Sequence, residues 1–568
     1  MKKKILPVLV IIGLIILIGG IYGAQLVIEH FAYSKERMNL NDYFELTSDD
    51  QVAVVLGSER LEGSYAVLKD GHYYMTIGDV NSYISNRFYY GEADGILVYT
   101  TPTEIITAKV GENVSTASSG KTEDLGFPIS YIEGDSLYVA LDYVEKYSAM
   151  TYMAFAEPNR IQMYVGFTDY NTAEIKKNTA IRYRGGVKSE ILRDLAQDEI
   201  VVVLEEMDDW AKVQSEDGFI GYVEKKFLEN QVQQRMGKEL SKELAAYSNL
   251  SLGSKVNMAF HSIGGTGGND TISSALSGTK TVNVIAPTWF SLTGNEGNIT
   301  SYATNDYVTY AHSQDIKVWA VVDNFNGNAD ADTEAVLSSA AARANLISQL
   351  IGKALEYNID GINVDFEQIG ESYARSYVEF LRELSVACRA NQIFLSIDNY
   401  VPMDFNDYYD LTEQGIIADY VIIMGYDEHY AGSAEAGSVA SIDYVVNGIN
   451  SALEEVSAEK LINAVPFYSR VWTTKGADVS SRALHMSGMQ SVIAENNVEM
   501  SWDDATCQYY GEFTDGNGDL NQIWNEDARS IEAKLSVMQS SNIAGVAEWA
   551  LGFETEDVWD VIAAYMAQ

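Results

Sequence analysis

Eight near-continuous apolar runs between residues 251 and 568 constrain this chain more than any other feature. They are "KVNMAFH" near residue 255, "TVNVIAP" near 281, "IKVWAVVD" near 316 and "IDGINVDFE" near 359, then "IFLSIDN" near 393, "DYVIIMGYD" near 419, "KLINAVPFY" near 460 and "IAGVAEWALG" near 543. Strands without a polar face belong to a parallel sheet covered on both sides. Helical periodicity separates several of them. Leu346, Ile347, Leu350, Ile351, Ala354 and Leu355 precede the fourth run, and Tyr377, Phe380, Leu381, Leu384 and Cys388 follow it. Such alternation predicts an α/β fold, a (β/α)8 TIM barrel. The connection between the seventh and eighth runs is long. Within it, "MSWDDATCQYYGEFTDGNG" reads as extra strands and a turn.

The fourth run carries acidic residues that a buried strand has no structural need for. Side chains alternate faces along a strand, so Asn363, Asp365 and Glu367 point together into the barrel, while Ile362, Val364 and Phe366 face the helices. Glu367 falls at the C-terminal end, where barrel enzymes place their catalytic groups. Two carboxyls this close, poorly solvated, do not both ionise, so one holds a proton. A carboxyl protonated near neutrality is a general acid. The same pair could instead bind a divalent cation through oxygen ligands, or satisfy an arginine in a structural network.

The spacing D-G-x-x-x-D-x-E, here Asp360, Gly361, Asp365 and Glu367, resembles the signature of glycoside hydrolase family 18. "MGYD", Met424 to Asp427, resembles the family's sixth-strand motif, and "VPFYSRVW", Val465 to Trp472, its seventh. "GVAEWALG" carries Trp549 where the family has its eighth-strand tryptophan. The likeness covers about residues 250–568 and is nearest to the bacterial branch containing spore-cortex-lytic enzymes. It implies substrate-assisted hydrolysis with net retention. Glu367 would be the acid and then the base, Asp365 would orient the substrate's acetamido group, and Tyr426 would donate to its carbonyl. Met424 and Asp427 would shape the subsite and Trp549 would floor it. Asn363, Tyr468, Arg470 and Trp289 complete the candidate substrate contacts. Trp289 is either a rim platform or a structural residue, and Tyr468 and Arg470 either bind substrate or brace the rim. No cofactor or metal is implied. Two departures stand out. Asn363 occupies a position where the family commonly has aspartate; it can hydrogen-bond Asp365 but supplies no charge. The third strand ends "VVDN" instead of the family's S-x-G-G.

A chain of 568 residues is expected to hold several domains. Lys2, Lys3 and Lys4 precede an uncharged run, Ile5 to Ile28, that as a helix reaches roughly 36 Å and spans a bilayer core of about 30 Å. This predicts a cytoplasmic tail at 1–4, a membrane anchor at 5–28 and a juxtamembrane linker at 29–50, with the remainder outside. Secretion after cleavage near Gly23 and Ala24 is the alternative. Residues 51–171 read as a small α+β domain. Its pieces "GHYYMTIGDVNSYI" and "GDSLYVALDYVEKY" each predict a turn, a strand and a short helix, and are similar to the copper amine oxidase-like N-terminal domain, a stalk module. Over 172–230, Trp210 and "DGFIGYV" (Asp217 to Val223) resemble a bacterial SH3 domain, which implies binding to cell-wall peptide. Residues 231–250 read as a polar, helix-like linker before the barrel at 251–568.

A net charge of -43 repels phosphate backbones and argues against nucleic acid as a partner. Cys388 and Cys507 allow one bridge or two thiols. Six scattered histidines make no metal-ligand pattern. The resulting expectation is an extracellular retaining glycosidase, anchored in the cytoplasmic membrane. Its substrate is a β-1,4-linked N-acetylglucosamine polysaccharide: peptidoglycan, spore cortex or chitin. The alternatives are a non-catalytic glycan-binding envelope protein and a scaffold in envelope assembly.

Overall fold

A computed structural model of the chain describes residues 5–325 and 331–568. The basic segment 1–4 lies outside the described residues. The chain divides into two compact units. One comprises 1–88, 108–115 and 123–245, the other 89–107, 116–122 and 246–568.

The first unit begins with a helix, Ile5–Phe31. Its stretch Leu9–His30 has a mean hydropathy of 2.4 and is long and apolar enough to cross a membrane. Two seven-stranded sheets follow. In the first, strand His72–Thr76 runs into helix Ile77–Tyr83, and strand Ser136–Ala140 into helix Leu141–Tyr147. These are the two similar pieces seen in the sequence. Their strands pair antiparallel, with Tyr138 opposite Thr76 and Ala140 opposite Tyr74. The second sheet spans Thr168 to Met236 and closes over Ile181, Leu192, Val213, Phe219 and Val223. One expectation is corrected here. The first part of the stretch 231–250 is not helix-like: Leu228–Met236 is a strand on the edge of this sheet, pairing with Thr168–Ile175. Its polar side chains hid the strand because an edge is held by backbone hydrogen bonds and cross-strand pairs, here Arg235 with Asp169, and not by an apolar face. A short helix, Lys242–Ala245, follows.

The second unit is a closed barrel of eight parallel strands: β1 (Val256–His261), β2 (Val284–Thr293), β3 (Lys317–Asp323), β4 (Gly361–Asp365), β5 (Phe394–Tyr400), β6 (Tyr420–Met424), β7 (Leu461–Pro466) and β8 (Gly545–Trp549). Each bonds to the next, and β8 returns to β1. Helices α1 (Ala340–Tyr357) and α2 (Ala374–Asn391) flank β4. Ile362, Val364 and Phe366 face this helical layer, where Phe366 stacks on Phe380 with ring centroids 5.6 Å apart. The insertion between β7 and β8 is a five-stranded sheet that includes Ser501–Asp503 and Gln508–Thr514.

The opening of the β4 motif has a structural purpose. A Cβ on Gly361 would lie 2.5 Å from the Trp319 ring and 2.9 Å from Phe394 Cβ, so only glycine lets β4 pass between these two side chains. The Asp360 carboxylate accepts from the Val318 amide at 2.9 Å and from His312 at 2.7 Å, and pairs with Lys317 at 2.8 Å. It ties the entrance of β4 to that of β3.

The sequence reading put all of 51–171 in one module. Contacts assign Tyr89–Thr107 and Thr116–Thr122 to the barrel unit. Thr100 donates to Glu379 of α2 at 2.6 Å, and the Tyr89 hydroxyl meets that of Ser376 at 2.9 Å. Both cysteines are free: Cys388 is buried and Cys507 half-buried.

Candidate active site

The C-terminal strand ends of the barrel surround a cavity of about 210 Å³. Strand β4 contributes Asp365 and, just past its end, Glu367. Strand β5 contributes Asp398 and Tyr400. Met424, Tyr426 and Asp427 come from β6 and the residues after it, Trp549 from β8 and Tyr468 from the inserted sheet. Phe260 and Phe325 complete the lining.

Glu367 is held at two levels. Its backbone N–H donates to Asn324 Oδ1 at 3.0 Å, and its carbonyl accepts from Asn324 Nδ2 at 2.9 Å. The side chain of Asn324 thus extends the pairing of β3 with β4 one step beyond the strands. The Glu367 carboxyl accepts from the Tyr400 hydroxyl at 2.7 Å. Burial raises its pKa above the usual carboxylate range. The Tyr400 hydrogen bond opposes that rise, and the charge of Asp427 adds to it. The result favours a group that carries a proton to higher pH than a free glutamate.

Asp365 is nearly inaccessible, at 8% exposure. Burial raises its pKa well above the ordinary value, and the charges of Asp398, Glu367 and Asp323 act in the same direction. Asp398 is pushed up to about 8, chiefly by burial. Glu367 adds to the shift, and the hydrogen bond from Asn363 opposes it.

Asn363 lies beneath, fully buried. It does not donate to Asp365. Its amide nitrogen reaches Ser396 Oγ at 3.0 Å and Asp398 Oδ1 at 2.9 Å, which uses both of its hydrogens.

On the far wall, the Tyr468 hydroxyl donates to Asp427 Oδ1 at 2.6 Å, and its ring meets that of Tyr426 edge-on. Among the described residues the Tyr426 hydroxyl makes no hydrogen bond, leaving it free to donate into the cavity. Trp549 packs against Phe260, with centroids 5.5 Å apart, and presents its ring to the cavity.

Two candidate contacts stand apart from this site. Trp289 is fully buried. Its Nε1 donates to Asn269 and its ring packs on Tyr307, so it is a core residue and not a rim platform. Arg470 is absent from the cavity lining and instead donates to Ser481 across a strand pair of the inserted sheet.

The sequence reading did not single out Phe260, Phe325, Asp398 and Tyr400 of the cavity lining, nor Asn324 and Asp323 beside it. The alternation argument used on β4 applies equally to "SIDNY", where Ser396, Asp398 and Tyr400 share one face. Among the described residues, no group of three His, Cys, Asp or Glu side chains is arranged to hold a metal ion.

The sequence matches the family model described as Glycosyl hydrolases family 18 over residues 219–554, more than half of the chain, and that of the Bacterial SH3 domain over residues 177–229. An uncharacterized glycosylase of Bacillus subtilis is 29% identical over 291 residues, covering 50% of this chain and 84% of that protein. The cortical fragment-lytic enzyme of the same species is 24% identical over 257 residues, covering 44% of this chain and 59% of that enzyme. Among solved structures, a chitinase from Chromobacterium violaceum superposes with a TM-score of 0.50 at 24% identity, over 56% of this chain and 100% of that one. The Bacillus cereus spore cortex-lytic enzyme does so with a TM-score of 0.50 at 22% identity, over 55% of this chain and 74% of that one. These two structures share the barrel fold.

Proposed function

Because the chain belongs to glycosyl hydrolase family 18, we propose that it is a retaining glycosidase that cleaves β-1,4-linked N-acetylglucosamine glycans, with peptidoglycan or spore cortex as the preferred polymer. The observation that carries this reading is one cavity holding a proton-retaining Glu367, a buried Asp365 and the Trp549 ring. In the first step Glu367 protonates the glycosidic oxygen. The substrate's own acetamido oxygen attacks the anomeric carbon, which is the substrate-assisted variant of retention. Asp365 orients the acetamido group and offsets positive charge on the cyclic intermediate. Tyr426 donates to the acetamido oxygen. Water then opens the intermediate, with Glu367 acting as base. Trp549 supplies a flat apolar floor for the sugar ring. Tyr468 holds Asp427 at the subsite edge.

The preference for wall glycan over chitin is supported by the SH3 module and by the names of the cortex-acting relatives. The apolar helix supports a single-pass anchor with its lysines inside and the catalytic unit outside. The part of 51–171 that lies outside the barrel unit serves as a spacer in this reading.

Replacing Glu367 with Gln tests it. Release of reducing ends from purified wall should fall by about 100-fold or more, the scale of a lost acid–base group. Glycan binding without turnover by the wild-type protein would favour a non-catalytic binding role instead.

A further inference from the structure

Strand β5 places a third carboxyl in the floor of the site. Ser396, Asp398 and Tyr400 share its inner face, and Asp398 is 3% exposed and lines the same cavity as Asp365. The groups acting on these two carboxyls are Asn363, Glu367 and Asp323, with the hydroxyls of Tyr377 and Tyr426 nearby. No arginine or lysine is among them. The hydrogen bonds around the pair are also incomplete. Asn363 Oδ1 and Asp365 Oδ1 are both buried without a donor. Buried acceptors normally have one. The Asn363 amide cannot supply it, since both its hydrogens go to β5.

We propose that Asp398 is a positioning residue for the reaction: it shares one proton with Asp365, and Asn363 holds it in register to do so. Two buried carboxyls with no cation between them ionise together only at high cost, so the pair retains one proton through neutrality. That proton supplies the donor that the floor of the site lacks. Asn363 is thus the clamp on the charge and not its substitute, and its effect on Asp365 runs through Asp398. The catalytic consequence rests on the glycosidase reading. The proton sharing does not.

Asp398→Asn is the test, because it keeps an oxygen for the Asn363 amide and removes the shared proton. Its expected signature in infrared difference spectra is the loss of one carboxyl titration, with a midpoint about 8 in the wild type. Because Asp365 then carries the pair's single negative charge alone, the alkaline limb of kcat/KM, set by Glu367, should stay in place while kcat falls. The swap Asn363→Asp with Asp398→Asn exchanges the two ends of one hydrogen bond and should restore both signals. A wild type that turns over no glycan would overturn the glycosidase reading, while the infrared titration would still decide the proton sharing. An unchanged titration in Asp398→Asn overturns the proposal. So does a swap variant that folds but restores neither signal.

Discussion

The hydroxyl of Tyr400 is the one group seen to oppose proton retention by Glu367, so Tyr400→Phe isolates its effect. The ring contact with Tyr409, at 6.1 Å between centroids, survives the change, and the fold should be undisturbed. The change removes the 2.7 Å hydrogen bond to Glu367 and the one that the same hydroxyl accepts from the Gln368 backbone. A hydrogen bond to a charged group contributes about 1.5–3 kcal/mol. One pKa unit corresponds to about 1.4 kcal/mol. Full loss would therefore raise Glu367 by about one to two units, and its partial exposure to water places the rise near one. The sign follows from the donor. Tyr400 stabilises the carboxylate, so removing it favours the protonated acid. Profiles of kcat/KM against pH on soluble N-acetylglucosamine oligomers report the free enzyme. Their alkaline limb should shift upward by about one pH unit, whereas Asp398→Asn should leave it in place. A limb that stays in place or moves down, in a variant with an unaltered melting temperature, would refute the assignment of Glu367 as the titrating acid.

Two further substitutions separate architecture from chemistry. Gly361→Ala forces a methyl against Trp319 and Phe394 and should cost about 1–3 kcal/mol, read as a lower urea midpoint at unchanged slope. Trp289→Phe removes the buried bond to Asn269 and should cost about 1–3 kcal/mol while leaving KM for glycan oligomers unchanged; a raised KM would return Trp289 to the binding surface.

The barrel was legible because its strands are buried on both faces and therefore read as apolar runs broken by helical spacing. The core of the site was legible for a related reason: acidic residues stand out in such a run, and the period of two shows which way they point. Strand β5 was read as a strand, but its site residues were missed because Ser396, Asp398 and Tyr400 are less conspicuous than three acidic residues. Trp289 was misread because a tryptophan after a strand carries no sign of whether its ring turns inward. Asn363 was placed correctly in the barrel, yet its partner lies on the next strand, and one sequence does not reveal cross-strand pairing. Long-range contacts are equally silent, and residues 89–107 gave no sign of packing with helices near residue 380.

The central claim is that Glu367 drives cleavage of an N-acetylglucosamine linkage. Mass spectrometry of the products from purified spore cortex tests it most directly. Wild-type protein should release fragments ending in reducing N-acetylglucosamine, and Glu367→Gln should release none above background. Fragments ending in the other wall sugar, or equal fragment yields from both proteins, would contradict it.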